Sequence, residues 1–312
     1  MKPLVVIAGP TGVGKTNLSL KLAEIINGEI ISADSMQIYR KLDIGTAKIT
    51  KEEMHNIPHH MIDICDPDCS YDVNTYQESV RILIDEILAR GHIPMLVGGT
   101  GFYIQAVTKD IDFTEEDNTK VREELTEFYE KFGEDALFEK LKSVDKESAE
   151  TIPKQNVKRV LRAVEFFEIH GYTIFEHNKK EASKESPYNL AFFVLNKNRK
   201  DLYDSINKRV DLMMEQGLLK EVESLLDCYS YNSQSGYYNA IGYKEIIDYL
   251  NGSCNLETAV NAVKQNSRHY AKKQVTYFKR EKEAIWLDKD LYSEEELLNQ
   301  ILNTLKEKHI YE

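Results

Sequence analysis

Lys15, Thr16 and Asp34 are the side chains whose types and spacing are best suited to chemistry on a phosphorylated ligand. The first two close the turn Gly9-Pro10-Thr11-Gly12-Val13-Gly14-Lys15-Thr16, which fits the pattern G-x-x-x-x-G-K-[ST]. An apolar run, Leu4–Ala8, precedes the turn and an amphipathic pattern follows it, so strand, loop and helix stand in the order such a loop requires. Glycines let consecutive backbone N–H groups turn inward around phosphate oxygens, and the helix behind adds the positive end of its dipole. Lys15 adds a mobile positive charge, and the Thr16 hydroxyl is a ligand of the kind Mg²⁺ takes. The turn therefore predicts a bound phosphate group.

A phosphate loop serves hydrolases, kinases and other transferases alike, so its surroundings decide between them. Hydrolases of this kind usually end a neighbouring strand in an acid that organises Mg²⁺. Here the apolar run Ile93–Val97 ends in Gly98-Gly99-Thr100-Gly101, a second glycine turn with a hydroxyl. The acid comes instead after Glu29–Ala33, in Ser32-Ala33-Asp34-Ser35-Met36-Gln37-Ile38-Tyr39. At the carboxyl edge of a parallel sheet Asp34 becomes the best general-base candidate, the plainer alternative being a strand-end aspartate that caps a helix. The adjacent His59 and His60 are expected to pack and hydrogen-bond in a loop rather than to hold a metal. Cys65, Cys69, Cys228 and Cys254 have neither zinc spacing nor the look of a disulfide framework.

These residues need a scaffold, and the pattern predicts one. Short apolar strands (Leu4–Ala8, Glu29–Ala33, Ile93–Val97, Leu190–Leu195, Ala284–Leu287) alternate with helical stretches, as in a parallel α/β sheet. Helices are expected over Lys15–Ile26, with Leu18, Leu22 and Ile25 on one face, and over Asn74–Arg90. Others are expected within Lys200–Cys228 and over Gly242–Leu250, Leu256–Arg280 and Ser293–Lys308. The strand rhythm stops between Asp112 and Pro187. Helices Thr119–Phe132, Glu134–Val144 and Asn156–His170 are expected there, followed by a polar segment from Asn178. The expected organisation is a P-loop NTPase-like α/β core over residues 1–111 and 188–312, with a helical insertion domain over 112–187. No apolar run approaches a membrane span and the chain opens directly into a strand, so a cytoplasmic location is expected, with no membrane or protein partner implied.

The formal net charge is −12, yet Asn261–Lys282 carries seven basic residues against Glu281 alone, a local +6. Tyr270, Tyr277 and Phe278 are interleaved there, and Lys154, Lys158, Arg159 and Arg162 form a second cluster. Basic stripes on an acidic body suit a polyanion held in one groove, or simply a solvated helix face.

The blocks, in order, resemble the bacterial tRNA dimethylallyltransferases. They are Gly9–Thr16, Ser32–Tyr39, Asp43-Ile44-Gly45-Thr46-Ala47-Lys48, Pro58-His59-His60-Met61-Ile62-Asp63 and Gly98-Gly99-Thr100-Gly101-Phe102-Tyr103. They continue with Arg159-x-x-Arg162, Arg209-Val210-Asp211-x-Met213, Ala240-Ile241-Gly242-Tyr243-Lys244-Glu245 and Arg268-x-Tyr270-Ala271-Lys272-Lys273-Gln274-x-Thr276. The resemblance implies transfer of the dimethylallyl group of dimethylallyl diphosphate to N6 of the adenosine 3′ to the anticodon of tRNA, with Mg²⁺. It implies Asp34 as base, Lys15 and the loop Gly9–Thr16 on the diphosphate, and Thr16 on the metal. By the same resemblance Asp34, Ser35, Met36 and Gln37 receive the flipped adenine, and Thr100 serves both catalysis and RNA contact. Arg122, Gln155, Asn156, Val157, Lys158, Arg159, Arg268, Lys272, Lys273 and Lys279 would hold the anticodon stem-loop. Where the family usually has Lys-Arg-Gln and Trp-Phe-Arg, this chain has Lys272-Lys273-Gln274 and Tyr277-Phe278-Lys279, keeping charge but losing the bidentate geometry of arginine. The rivals are the same transfer to a free adenine nucleotide, and a small-molecule kinase using ATP.

Overall fold

Alternation sets the centre of the molecule. In strand β1 (Lys2–Ala8), Leu4, Val6 and Ala8 join one apolar cluster and Val5 and Ile7 another, all of them buried. Successive side chains of a strand point to opposite faces, so such a strand belongs inside a sheet covered on both sides. The computed structural model describes residues 1–113, 119–232 and 235–312. Among these, β1, β2 (Gly28–Ala33), β3 (His59–His60), β4 (Ile93–Gly98), β5 (Tyr188–Asn196) and β6 (Ile285–Asp288) form one sheet in the order β3-β2-β4-β1-β5-β6. Every pairing is parallel. The fold is mixed α/β on a parallel sheet.

The described helices are α1 (Lys15–Ile26), α2 (Val73–Ala89), α3 (Gly101–Thr108), α4 (Thr119–Val144), α5 (Lys146–Thr151), α6 (Val157–His170) and α7 (Ile174–Ala182). After β5 come α8 (Arg199–Gln216), α9 (Leu218–Cys228), α10 (Tyr243–Leu250), α11 (Leu256–Phe278) and α12 (Glu294–Glu307). Helix α1 covers one face of the sheet with Leu18 and Leu22, α12 with Leu297 and Ile301; α2 covers the other with Tyr76, Val80, Ile84 and Ile87. Among the described residues no helix is long and apolar enough to cross a membrane.

The chain divides into two compact units, Met1–Thr108 with Ser186–Glu312, and Lys109–Glu185. The first contains the sheet. The second is helical, α4 to α7, with α4 broken at Gly133 (φ 79°) into the two expected pieces, around Leu125, Leu137, Leu141, Val160 and Val164. Residues 114–118, within the expected insertion, lie outside the described residues.

Several local expectations are corrected. Ile25 is 41% exposed and Ile26 is buried in its place, because Leu18, Leu22 and Ile26 repeat every fourth residue and share one face. The polar segment from Asn178 begins inside α7, which a Thr173–Glu176 capping box starts. His59 and His60 form a two-residue edge strand beside Ile30 and Ile31 rather than a loop. They do hydrogen-bond as expected, His60 Nε2 to Glu29 Oε2 at 2.6 Å and His59 Nδ1 to the Ile57 carbonyl at 2.8 Å.

Candidate active site

Three loops leave the carboxyl edge of adjacent strands. Residues 9–16 follow β1, Asp34 follows β2, and the turn 98–101 ends β4, which lies between them. The register aligns Ala8 and Ala33 with Gly98, so the loops start level, at the edge where parallel sheets hold ligands. Two bonds tie the last two together: Thr100 N–H donates to the Ala33 carbonyl at 3.0 Å, and Ser35 N–H donates to Thr100 Oγ1 at 3.1 Å. Asp34 Oδ1 accepts from Met36 N–H at 2.9 Å in a tight turn, and no described helix begins there. The helix-cap alternative for Asp34 is thereby removed.

In the loop of residues 9–16, Gly14 adopts φ 89° as it hands the chain to α1, a left-handed conformation that suits glycine. Lys15 Nζ donates to the carbonyls of Gly9 at 2.9 Å and Pro10 at 3.0 Å, which curls the side chain over its own loop. Removal from water and, after it, the nearby Arg209 guanidinium lower the Lys15 ammonium to about 8, with Asp34 opposing both. Burial likewise lowers Arg209, again with Asp34 in opposition. Arg209 donates one bond, to the Thr46 carbonyl at 2.8 Å, while its buried Nε has no partner among the described residues. Two cations that repel each other, one with an unsatisfied donor, are an arrangement that an anion would relieve.

A cavity of about 240 Å³ opens here, with Thr11, Asp34, Ser35, Thr46, Arg209 and Tyr270 among its walls. Burial raises the Tyr270 hydroxyl, and hydrogen bonding with Thr100 and Gln274 pulls it part of the way back. Arg209 stands in one of the family blocks, but the sequence alone gives it no role. Its signal, a basic residue in an otherwise amphipathic helix, acquires meaning only once α8 is packed beside the loops.

The residues expected on RNA are distributed as follows. Met36 joins Asp34 and Ser35 at the cavity. Gln37 has its amide engaged, accepting from Ser32 Oγ at 3.2 Å and donating to the Thr46 carbonyl at 3.4 Å. Arg122, on α4, lies 3.8 Å from Glu165 in the helical unit. In the same unit Asn156 caps α6, Val157 packs on the apolar cluster, and Gln155, Lys158 and Arg159 are exposed. On α11, Arg268 donates to Asn207 Oδ1 at 2.6 Å, while Lys272, Lys273 and the C-capping Lys279 are exposed. Among the described residues no group of three His, Cys, Asp or Glu side chains is arranged to hold a metal.

A carboxylate, a guanidinium and several hydroxyls lining one cavity, with the Lys15 ammonium acting on both charged groups, form the equipment of a group-transfer enzyme. The IPP transferase family matches residues 37–281. The chain is 48% identical to a tRNA dimethylallyltransferase of Lachnoclostridium phytofermentans, across 99% of each chain. It is similar to the crystal structure of the full-length tRNA isopentenylpyrophosphate transferase of Bacillus halodurans, with a TM-score of 0.75 and 43% identity over 99% of this chain and 98% of that one. A eukaryotic dimethylallyltransferase crystallised acting on tRNA gives a TM-score of 0.78 at 29% identity, over 92% of this chain and 74% of that one. The chain belongs to the IPP transferase family of bacterial tRNA dimethylallyltransferases, and is an enzyme of the transferase class.

Proposed function

We propose that this enzyme moves the dimethylallyl group from dimethylallyl diphosphate to N6 of the adenosine 3′ to the anticodon in tRNA, on a P-loop NTPase-like core. The observation that carries the reading is Asp34 on the wall of the same cavity as Arg209, within the field of Lys15. The bond from the allylic carbon to the bridging oxygen breaks, and its electron pair leaves with diphosphate. A bond from N6 to that carbon forms, and the N6 proton passes to Asp34. The amine is a poor nucleophile because its lone pair is delocalised into the ring, so removing the proton as the bond forms lowers the barrier. Lys15, Arg209 and the loop N–H groups of Gly9–Thr16 stabilise the charge that develops on the leaving oxygen.

Thr16 would hold Mg²⁺ by its hydroxyl, the remaining ligands being diphosphate oxygens and water, and the ion would neutralise leaving-group charge when bound. Ser35 and Met36 line the space for a flipped adenine, and Thr100 fixes the backbone that carries them. The helical unit, through Arg122 and Gln155–Arg159, and α11, through Arg268, Lys272, Lys273 and Lys279, would hold the anticodon stem-loop by phosphate contact.

The test is transfer of label from dimethylallyl diphosphate into unmodified tRNA, with Asp34→Asn beside the wild type. Label should enter RNA, and the variant should bind diphosphate and tRNA almost normally while turning over about two to four orders of magnitude more slowly. Near-normal turnover would leave Asp34 a positioning residue. Consumption of ATP with a small alcohol, and no label in RNA, would overturn the reading in favour of a kinase.

A further inference from the structure

One carboxamide on α11 is built into both glycine turns. Gln274 is buried; its Oε1 accepts from Thr11 N–H at 2.9 Å and its Nε2 donates to the Gly99 carbonyl at 2.9 Å. Thr11 belongs to the phosphate loop after β1 and Gly99 to the turn after β4, so a single side chain bridges two loops that reach the site separately. The approach is close enough that a Cβ on residue 99 would lie 2.2 Å from Gln274 Nε2, which explains the glycine there. Neighbouring turns of α11 reinforce the contact. Tyr270 hydrogen-bonds with Thr100 and Gln274, and the Tyr277 ring occupies the space a side chain on Gly101 would need.

The chemistry at this point demands an amide. Thr11 offers a donor and Gly99 an acceptor, and a neutral side chain carrying both complementary groups satisfies the pair without introducing charge. Backbone N–H groups stabilise a leaving anion only when they are already held in place, because reorganisation during the reaction would forfeit the gain. The exposed face of the same helix carries Lys272 and Lys273, two residues and one residue before Gln274.

We propose that Gln274 is a positioning residue for the leaving group: it fixes the phosphate loop against the Thr100 turn, and so sets the separation between departing diphosphate and the Asp34 wall of the cavity. The identity of the bound anion rests on the reaction proposed above; the bridge itself does not.

The experiment titrates the full chain calorimetrically with inorganic diphosphate and Mg²⁺, beside steady-state transfer and tRNA binding. Gln274→Met keeps the length of the side chain and removes both bonds. Diphosphate Kd and donor KM should each rise about tenfold, the size expected from two neutral hydrogen bonds, with tRNA Kd within about twofold of wild type. Gln274→Glu keeps the acceptor for Thr11, and its carboxyl can donate to Gly99 only while protonated. The ratio of its diphosphate Kd to that of wild type should therefore climb as pH rises through the pKa of the new carboxyl, which burial raises.

An unchanged diphosphate Kd in Gln274→Met, or a ratio for Gln274→Glu independent of pH, overturns the proposal. Equal weakening of diphosphate and tRNA binding does so too, since a loosened helix would produce it. Should Gln274→Met fail to fold, Gln274→Asn, a neutral amide too short to bridge both loops, takes its place in the same titrations. Diphosphate binding is read with no acceptor present, so a wild type that binds diphosphate but does not prenylate tRNA rejects the proposed reaction, while the same titrations still decide the role of Gln274.

Discussion

Lys15 shows how much of a residue's chemistry is conferred by its neighbours. The motif supplies a lysine; the fold places it out of water and beside Arg209, which together hold its ammonium at about 8 instead of 10.5. The sign of the consequence follows. As pH rises through about 8 the free loop loses a positive charge, whereas a bound diphosphate favours the charged form and raises that pKa. Binding is then accompanied by proton uptake above about pH 8, and affinity falls there by up to about tenfold per pH unit, while below it this group contributes no slope. Calorimetry with diphosphate between about pH 7 and 9.5 checks this, using Lys15→Arg, which stays charged, to remove the titration of diphosphate itself. A ratio of wild-type to variant affinity that stays flat across the range would rule out the depressed ammonium. Arg209 belongs to the same electrostatic unit, and its buried Nε, without a partner among the described residues, is the feature on which its proposed contact with diphosphate rests.

Elements explain why parts of the site are legible in the sequence and others are not. The phosphate loop, Asp34 and the Gly98–Gly101 turn follow strands whose apolar runs are read directly from the chain, so the three loops are foreseeable. The segment Asp43-Ile44-Gly45-Thr46-Ala47-Lys48 is visible only as a family block, because what holds it is remote in sequence. Glu221, in the first turn of α9, accepts from the N–H groups of Asp43 at 3.1 Å, Ile44 at 2.7 Å and Gly45 at 3.0 Å, and from the Tyr243 hydroxyl at 2.7 Å. The Lys48 side chain is almost fully buried, its Nζ between Asp43 at 2.7 Å and Asp63 at 2.6 Å. The loop so fixed presents the Thr46 carbonyl to Arg209 and Gln37. No periodicity announces such a contact; long-range packing creates it. The same reason hides β3, whose two residues are a strand only because β2 lies alongside. Glu221→Gln turns an amide N–H₂ toward donors and removes the charge they share. It should lower unfolding free energy by about 1.5–3 kcal/mol and raise donor KM, through a displaced Thr46 carbonyl and a less constrained Arg209. Denaturant titration together with donor kinetics measures both; a loss of stability with unchanged KM would confine Glu221 to the fold.

On the scale of the whole molecule the charge is arranged against the average. The chain carries −12 overall, so a polyanion is repelled by most of its surface and must be received at particular places. Helix α11, in the sheet-bearing unit, is proposed as one such place. Its inner face contributes Ala271, Gln274 and Phe278 to the core, and the 3.6-residue period then sends Lys272, Lys273 and Lys279 outward. None of the three lines the cavity, so they are free to act on RNA without touching the leaving group. If they neutralise tRNA phosphates, replacing all three by Ala releases fewer counterions on binding. The log–log slope of affinity against salt should then flatten by up to about three units, with the greatest loss of affinity at low salt. Diphosphate Kd should stay within about twofold, because the site proposed for that ligand lies in the loops that Gln274, on the opposite face of the helix, contacts. Filter binding of unmodified tRNA to wild type and variant at several salt concentrations, beside calorimetry with diphosphate, separates the two ligands. Equal slopes would mean that the stripe is a solvated helix face, and would move the acceptor toward a free adenine nucleotide, which has too few phosphates to need it.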